Sequence, residues 1–142
     1  MTVSLTVIAG IIFAVYSIYF IKIISGNPDE FEKELLAALK DWSQKNNGKK
    51  SQIRLIFSIS LIVELFYFLM VFLVIYNPVF VVFTILFAGV ELFHIYRIGI
   101  NVHKFLKGII ESADLFNWKL ERLSAILFFT HSLLSLINVF LF

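Results

Sequence analysis

The sequence predicts an all-α polytopic membrane protein, with four transmembrane helices in one bundle and two interfacial amphipathic helices on the cytoplasmic side. Three observations support this fold class. First, 60% of the 142 residues are hydrophobic and only 15% are charged, whereas a soluble domain averages about a quarter charged residues. Second, four apolar segments each reach the roughly 20 residues that a hydrocarbon core of about 30 Å requires. Third, the basic residues are confined to two of the connections between those segments.

The four predicted spans belong to a single transmembrane domain, residues 1–142. They cover about residues 2–21, 55–76, 78–96 and 123–142. Each span is predicted to be a helix, because backbone polar groups in lipid must pair within their own segment. The first span has no charged residue, but the other three carry ionisable side chains, namely Glu64, Glu91, His94 and His131.

The positions of the basic residues predict the orientation of the spans. All 12 lysines and arginines lie within residues 22–54 or 97–122, while the N-terminal end, the turn at residues 76–78 and the C-terminal end carry none. The positive-inside rule places such basic connections in the cytoplasm. We therefore expect a protein integral to the plasma (inner) membrane, with both termini outside. The first span is expected to stay as an anchor, because it has no basic region before it and no small-residue cleavage site.

Both long connections are predicted to contain an amphipathic helix at the membrane surface. The first lies at about residues 28–43, where Asn27 is a candidate N-cap, Pro28 suits the first helical position and apolar residues recur at helical spacing. The second lies at about residues 102–121 and is expected to run into the fourth span. The acidic residues of the first helix are expected to form a solvated face that favours its N-terminus; they are Asp29, Glu30, Glu32 and Glu34.

Five side chains in these connections are candidates for contact with the membrane surface. Trp42 and Trp118 suit the headgroup region, because their rings are apolar and their N–H groups are polar. Lys45, Lys49 and Lys50 form a small basic group. Such a group favours anionic lipid or a cytoplasmic partner.

Two short segments suggest a parallel internal duplication. The sequences YSIYFIKI (residues 16–23) and FHIYRIGI (residues 93–100) share Ile, Tyr, Ile and Ile in register. Each segment closes a predicted span and precedes a predicted amphipathic helix. Both halves would therefore have the same orientation, as in a parallel repeat. Chance and shared membrane composition are the competing explanations.

Each predicted span has one stripe of small or polar residues. These stripes are expected to face inward, because an unpaired polar group in lipid is costly. In the first span the stripe predicts close helix packing, and its residues are Thr6, Gly10, Ala14 and Ser17. In the other spans the stripes predict a polar column in which Glu64, Glu91 and His131 meet near the middle of the membrane. The column comprises Glu64, Glu91, His94, His131, Ser135 and Asn138.

Three interpretations of the polar column are open. In the first, hydrogen bonds among its residues only fix the register of the helices. In the second, its glutamate and histidine side chains pass protons or bind a cation in transit. In the third, the column binds one divalent metal ion. Glu91-x-x-His94 matches one arm of the carboxylate–metal bundles, and Glu64 and His131 would complete a four-ligand site.

The sequence therefore favours a small membrane subunit or partner-binding membrane protein. The alternatives are an oligomeric proton or cation channel or transporter, and a membrane metal-binding protein. The expected partners are the lipid bilayer, further copies of the chain or subunits of a membrane complex, and a cytoplasmic partner at the amphipathic helices. Nucleic acid is not expected. The chain has no cysteine, which excludes thiol catalysis, and it has no nucleotide-binding motif. No catalytic residue is assigned.

Overall fold

The computed structural model describes residues 1–45 and 50–141. Within these ranges the chain is helical and contains no strand. The α-helices are α1 (Thr2–Ile24), α2 (Pro28–Lys45), α3 (Lys50–Val74), α4 (Pro78–Leu106) and α5 (Trp118–Leu141), and one 3-10 turn covers Ser112–Asp114.

Four of these helices are long and apolar enough to cross a membrane, which confirms the predicted spans. α1, α3, α4 and α5 contain 23, 25, 29 and 24 residues. At about 1.5 Å per residue each exceeds a hydrocarbon core of about 30 Å. Their outer faces are apolar: Val7, Ile62 and Leu86, for example, are all more than half exposed. Such surfaces suit lipid as the solvent.

The four long helices form a closed bundle. Neighbours meet in the cyclic order α1, α3, α4 and α5, with α1 packed chiefly along α5. The main core lies inside this ring and is built mostly from aromatic and aliphatic side chains, including Leu5, Ala9, Tyr67, Phe87 and Phe128. A second apolar cluster closes one end of the bundle. There Leu115 of the second long connection packs with Val102 and Leu106, and Leu39 of α2 packs against this cluster.

The turn between α3 and α4 is capped by the residues that the sequence places there. The Asn77 side-chain oxygen accepts hydrogen bonds from the N–H groups of Val79 at 3.0 Å and Phe80 at 3.2 Å. Pro78 occupies the first turn of α4, where its missing N–H leaves no bond unmade. Asn77 therefore starts α4 directly after the short turn that follows α3.

The predicted helix at residues 102–121 is wrong. α4 continues only to Leu106, the next α-helix begins at Trp118, and only the 3-10 turn intervenes. The reason is Gly108, which has φ 71, a left-handed conformation that glycine adopts without steric cost. The Gly108 and Ile109 N–H groups bond the Phe105 and Lys104 carbonyls at 2.9 and 3.0 Å, which closes the helix in a Schellman motif.

The two long connections therefore differ in structure. The first contains the 18-residue helix α2. In the second, residues 107–117 contain only the 3-10 turn. The predicted parallel duplication requires a helix in both connections, so its second amphipathic helix is missing from the described chain. The duplication itself stays a prediction.

The small-residue stripe of α1 does not supply its packing face. α1 is buried at Leu5, Ala9 and Ile12. Ala14 is exposed, and a Cβ added at Gly10 would meet no atom within 4 Å. The remaining stripe residues bond their own helix: Thr6 and Ser17 donate to the carbonyls of Thr2 and Phe13. The buried positions of α1 thus lie beside the predicted stripe and not on it.

An ion pair attaches α2 to the start of α5. The Arg122 guanidinium donates to both Glu32 carboxylate oxygens, from Nε at 2.7 Å and from Nη2 at 2.9 Å, and also contacts Asp29. Tyr19 of α1 donates its hydroxyl to the same Glu32 carboxylate. Glu32 is only 4% exposed. The expectation of a solvated acidic face is therefore wrong for Glu32, whose buried charge is neutralised by Arg122.

Candidate functional site

The predicted polar column is divided into two separate clusters. Tyr67, Thr84, His131 and Ser135 form the first, which we call the His131 cluster. Glu91, His94 and Glu121 form a hydrogen-bonded chain. Glu64 lines the same cavity as His94 and Glu121, so we call these four the His94 cluster. The sequence predicted that Glu64, Glu91 and His131 meet at one point, and in the structure they do not.

The His131 cluster is a closed chain of neutral hydrogen bonds. Tyr67 Oη lies 2.6 Å from His131 Nδ1 and 2.9 Å from Ser135 Oγ. His131 Nε2 lies 2.8 Å from Thr84 Oγ1, and Thr84 donates its own hydroxyl to the Phe80 carbonyl at 2.8 Å. With that bond made, the Thr84 hydroxyl accepts from His131 Nε2, and the neutral tautomer with its proton on Nε2 fits both contacts.

That tautomer determines the direction of the other bonds. His131 Nδ1 must accept, so Tyr67 donates to it, and Ser135 in turn donates to Tyr67. Every polar side-chain atom of the His131 cluster has a partner. His131, Tyr67, Thr84 and Ser135 are all 0% exposed. A buried polar network that is fully satisfied specifies one packing arrangement.

Aromatic rings enclose the His131 cluster and separate it from the His94 cluster. The His131 ring lies 4.7 Å from Phe80 and 5.1 Å from Phe87, measured between ring centroids. Phe68, Phe87 and Phe128 contact one another, and we call these three rings the aromatic layer. Phe128 also stacks on Tyr16 at 4.7 Å, and Tyr16 lies on the side of the His94 cluster. The layer thus lies between the two histidines.

The His94 cluster is charged. His94 Nδ1 lies 3.1 Å from Glu91 Oε2, and His94 Nε2 lies 3.0 Å from Glu121 Oε1. Both ring nitrogens contact carboxylates, and the imidazolium is the form of His94 that donates to both. Glu91 is 1% exposed, and its second oxygen, Oε1, is buried without a hydrogen-bond partner. An unpaired buried acceptor of this kind is rare.

The His94 cluster opens onto a cavity of about 480 Å³. Glu64, His94 and Glu121 contribute its charged side chains, and the Glu64 carboxylate accepts a hydrogen bond from Ser60 at 3.2 Å. The remaining walls are mostly apolar and come from α1, α2, α3, α4 and the second connection. They include Tyr16, Leu39, Trp42, Ile53, Phe57, Leu61, Ile98, Val102, Leu115 and Phe116.

The predicted four-ligand metal site is not formed. Within residues 1–45 and 50–141, no three His, Asp or Glu side chains are grouped so that they could hold a metal ion. His131 lies beyond the aromatic layer. His94 binds Glu91 through one ring nitrogen and Glu121 through the other, so the two carboxylates lie at opposite edges of the imidazole and cannot converge on one ion.

The other predicted site residues have different positions. Asn138 donates to the Leu134 carbonyl of its own helix at 2.9 Å and does not join either cluster. Trp42 lines the cavity, and Trp118 packs on Phe116 with ring centroids 5.3 Å apart. Lys45 pairs with Asp41 at 2.8 Å. Lys50 is exposed at the start of α3, and Lys49 lies outside the described residues.

Sequence reasoning did not identify Glu121 as a site residue. A signal was present, because Glu121, Ser124, Phe128, His131 and Ser135 recur at spacings of three and four, which places them on one helical face. The predicted span began at residue 123, so this stripe was cut short. The structure extends α5 to Trp118 and brings Glu121 to His94.

The fold and the site define a helical-bundle protein with four helices apolar enough to cross a membrane. Comparison with protein-family models, with curated proteins and with solved structures finds no match. The function is therefore argued from the geometry of the two clusters and the cavity.

Proposed function

We propose that this chain is a small integral membrane protein that binds a ligand in the cavity beside the His94 cluster. The single observation that supports the proposal is the cavity itself. It has about 480 Å³ of space, within the range of roughly 300–1,000 Å³ for small-molecule sites. It combines apolar walls with three charged side chains, the usual division between affinity and orientation in a ligand site.

The proposal also specifies a place in the cell. Both long connections lie in the cytoplasm and both termini lie outside, in the plasma (inner) membrane, because the basic residues are confined to those connections. α2 lies at the membrane surface, where Trp42 and Lys45 suit the headgroup region. The chain works as a homo-oligomer or as a subunit of a membrane complex, since its outer surface offers apolar faces on every long helix.

A second candidate function is a proton or cation pathway through the membrane. The observation that favours it is the chain of ionisable groups from Glu91 through His94 to Glu121, since such chains serve as proton relays in membrane proteins. The aromatic layer separates this chain from His131. A pathway therefore requires that the layer moves or that a second copy of the protein completes the route.

Ligand binding is tested with a matched pair of substitutions on α3. Leu61 lines the cavity, whereas its neighbour Ile62 is 62% exposed on the outer face. Leu61→Trp should fill the cavity and Ile62→Trp should leave it open. We expect compounds extracted from the purified wild type, and identified by mass spectrometry, to persist in Ile62→Trp and to be depleted in Leu61→Trp. Identical extracts from all three proteins would contradict the proposal.

The second candidate is tested in liposomes. If the chain conducts protons, the wild type should dissipate a pH gradient and Glu91→Gln should not, because the amide removes a titrating group and keeps the shape. Flux no greater than that of protein-free liposomes would leave ligand binding as the sole candidate.

A further inference from the structure

The chemistry of the cavity walls specifies what kind of ligand fits. Most lining residues are apolar, and they extend from Leu61 and Ile98 in the helices to Leu115 in the second connection. Burying an apolar group against such walls is favourable in proportion to the apolar surface removed from water. The ligand must therefore have an apolar body that can replace water along this surface.

The polar end of the cavity has an excess of negative charge. Two carboxylates, those of Glu64 and Glu121, line the cavity together with His94, and a third, that of Glu91, contacts His94 Nδ1 from outside the lining. Among the lining residues that the structure describes there is no lysine and no arginine. A cationic group would be attracted to this end of the cavity, and a carboxylate or phosphate would be repelled by it.

One carboxylate that lines the cavity, that of Glu64, lacks the partners that a carboxylate needs. The Glu64 carboxylate has only the Ser60 hydroxyl, at 3.2 Å, and no ion pair with a basic residue in the described part of the chain. An ammonium group carries up to three N–H donors and one positive charge, so it supplies both missing elements.

We infer that the cavity is the binding site of an amphiphilic amine, a molecule with one protonated amino group and an apolar body. This inference rests on the proposed ligand-binding function. The ammonium is held at Glu64 and Glu121, beside His94, and the apolar body lies against Phe57, Ile98 and the other apolar walls. A divalent metal fits this site poorly, because within the described residues no three His, Asp or Glu side chains are grouped so that they could hold one.

The two tryptophans of the chain allow a direct measurement. Trp42 lines the cavity and Trp118 does not, so Trp118→Phe leaves one indole that reports on the cavity. The protein in this background is placed in lipid nanodiscs and titrated with octylamine, octanol and octanoate, with empty nanodiscs correcting for partition into lipid. We expect a saturable change of Trp42 emission with octylamine, at least tenfold weaker binding of octanol, and no saturable change with octanoate.

Substitutions of the carboxylates separate charge recognition from apolar binding. A hydrogen bond to a charged group contributes roughly 1.5–3 kcal/mol, so Glu64→Gln or Glu121→Gln should weaken octylamine binding about ten- to hundredfold. Octanol binding should change less than about threefold, because these variants keep the shape of the cavity. The matched control is Glu34→Gln, which alters an exposed carboxylate on α2 and should leave both affinities unchanged.

The outcomes distinguish this inference from the function on which it rests. Equal affinity for octylamine and octanol would overturn the inference, but the cavity would remain a ligand site. Octylamine binding that is unchanged in both Gln variants would also overturn it. If Leu61→Trp loses the extracted compounds and octylamine produces no saturable signal, ligand binding stands and the amine does not. Circular dichroism of each variant confirms that it is folded before titration.

Discussion

His131 and His94 lie in the same helical bundle, but their ring nitrogens meet different partners. His131 contacts two hydroxyl groups, those of Tyr67 and Thr84, and aromatic rings enclose it. His94 contacts two carboxylates and lines a cavity. The first histidine is neutral, fully paired and sealed, whereas the second is charged, lies beside an unpaired acceptor and is reachable by a ligand.

This difference shows how the surroundings of a side chain assign its role. A buried network in which every donor has an acceptor stabilises one arrangement of helices. A network with excess charge and an unmade hydrogen bond is less stable by itself. The His131 cluster therefore stabilises the fold, and the His94 cluster is the one that the proposed function uses.

The largest effect is expected for His131→Ala. The change removes two buried hydrogen bonds and leaves a void among Phe80, Phe83 and Phe87, so the free energy of unfolding should fall by about 3 kcal/mol or more. Unfolding by denaturant in detergent micelles measures this loss. His103→Ala is the control, because His103 is exposed, and it should cost under about 0.5 kcal/mol. Similar losses of unfolding free energy in both variants would contradict the structural role assigned to His131.

Tyr67→Phe tests the same network with a smaller change. The hydroxyl both donates to His131 and accepts from Ser135, so its removal leaves an unpaired buried nitrogen and should cost about 1–3 kcal/mol. Tyr16→Phe is the matched control beside the cavity and should cost less than about half as much. Thermal unfolding in detergent compares the two. A larger loss for Tyr16→Phe would reverse the assignment of the two clusters.

Arg122→Lys is expected to affect only the side of the molecule that carries the cavity. Lysine cannot reproduce the forked contact with Glu32, because its ammonium is a single point charge. Amide hydrogen exchange in α2 should therefore accelerate by about tenfold, equivalent to about 1.4 kcal/mol. The amides of α3 near Tyr67 provide the internal reference and should be unaffected. Uniform acceleration along the chain would mean that the ion pair holds the whole bundle.

The smallest effect on stability is expected for Glu121→Gln. The amide oxygen can still accept a hydrogen bond from His94, so the free energy of unfolding should fall by no more than about 1 kcal/mol. Calorimetry of the ligand-free protein measures it. A loss above about 2 kcal/mol would show that the His94 cluster, like the His131 cluster, is mainly structural.

Hydrophobicity along the chain was enough to predict the four long helices. Their approximate positions follow from the apolar runs, and the start of α4 follows from Asn77 and Pro78. The helix predicted at residues 102–121 failed because one residue, Gly108, adopts a left-handed conformation that ends α4. Apolar residues continue at helical spacing past that glycine. The spacing of apolar residues therefore does not show where the backbone turns.

The partners within the site could not be predicted in the same way. Polarity indicates that a side chain in an apolar helix turns inward, and Glu91, His94 and His131 are indeed buried. It does not indicate which inward-facing group lies opposite. The aromatic layer that separates the clusters consists of three phenylalanines. Nothing in their polarity distinguishes them from the other phenylalanines among the 17 in the chain. The pair of Glu32 and Arg122, 90 residues apart, has no local signal either.

The close packing of α1 on α5 has a consequence for biogenesis. A nascent chain enters the membrane from its N-terminus, so α1 is inserted well before α5 is synthesised. Until then Leu5, Ala9 and Ile12, which are buried in the finished bundle, face lipid or the insertion machinery. Closure of the ring therefore waits for α5. A chain interrupted before α5 would leave α1 without its principal neighbour and would be a ready target for membrane quality control.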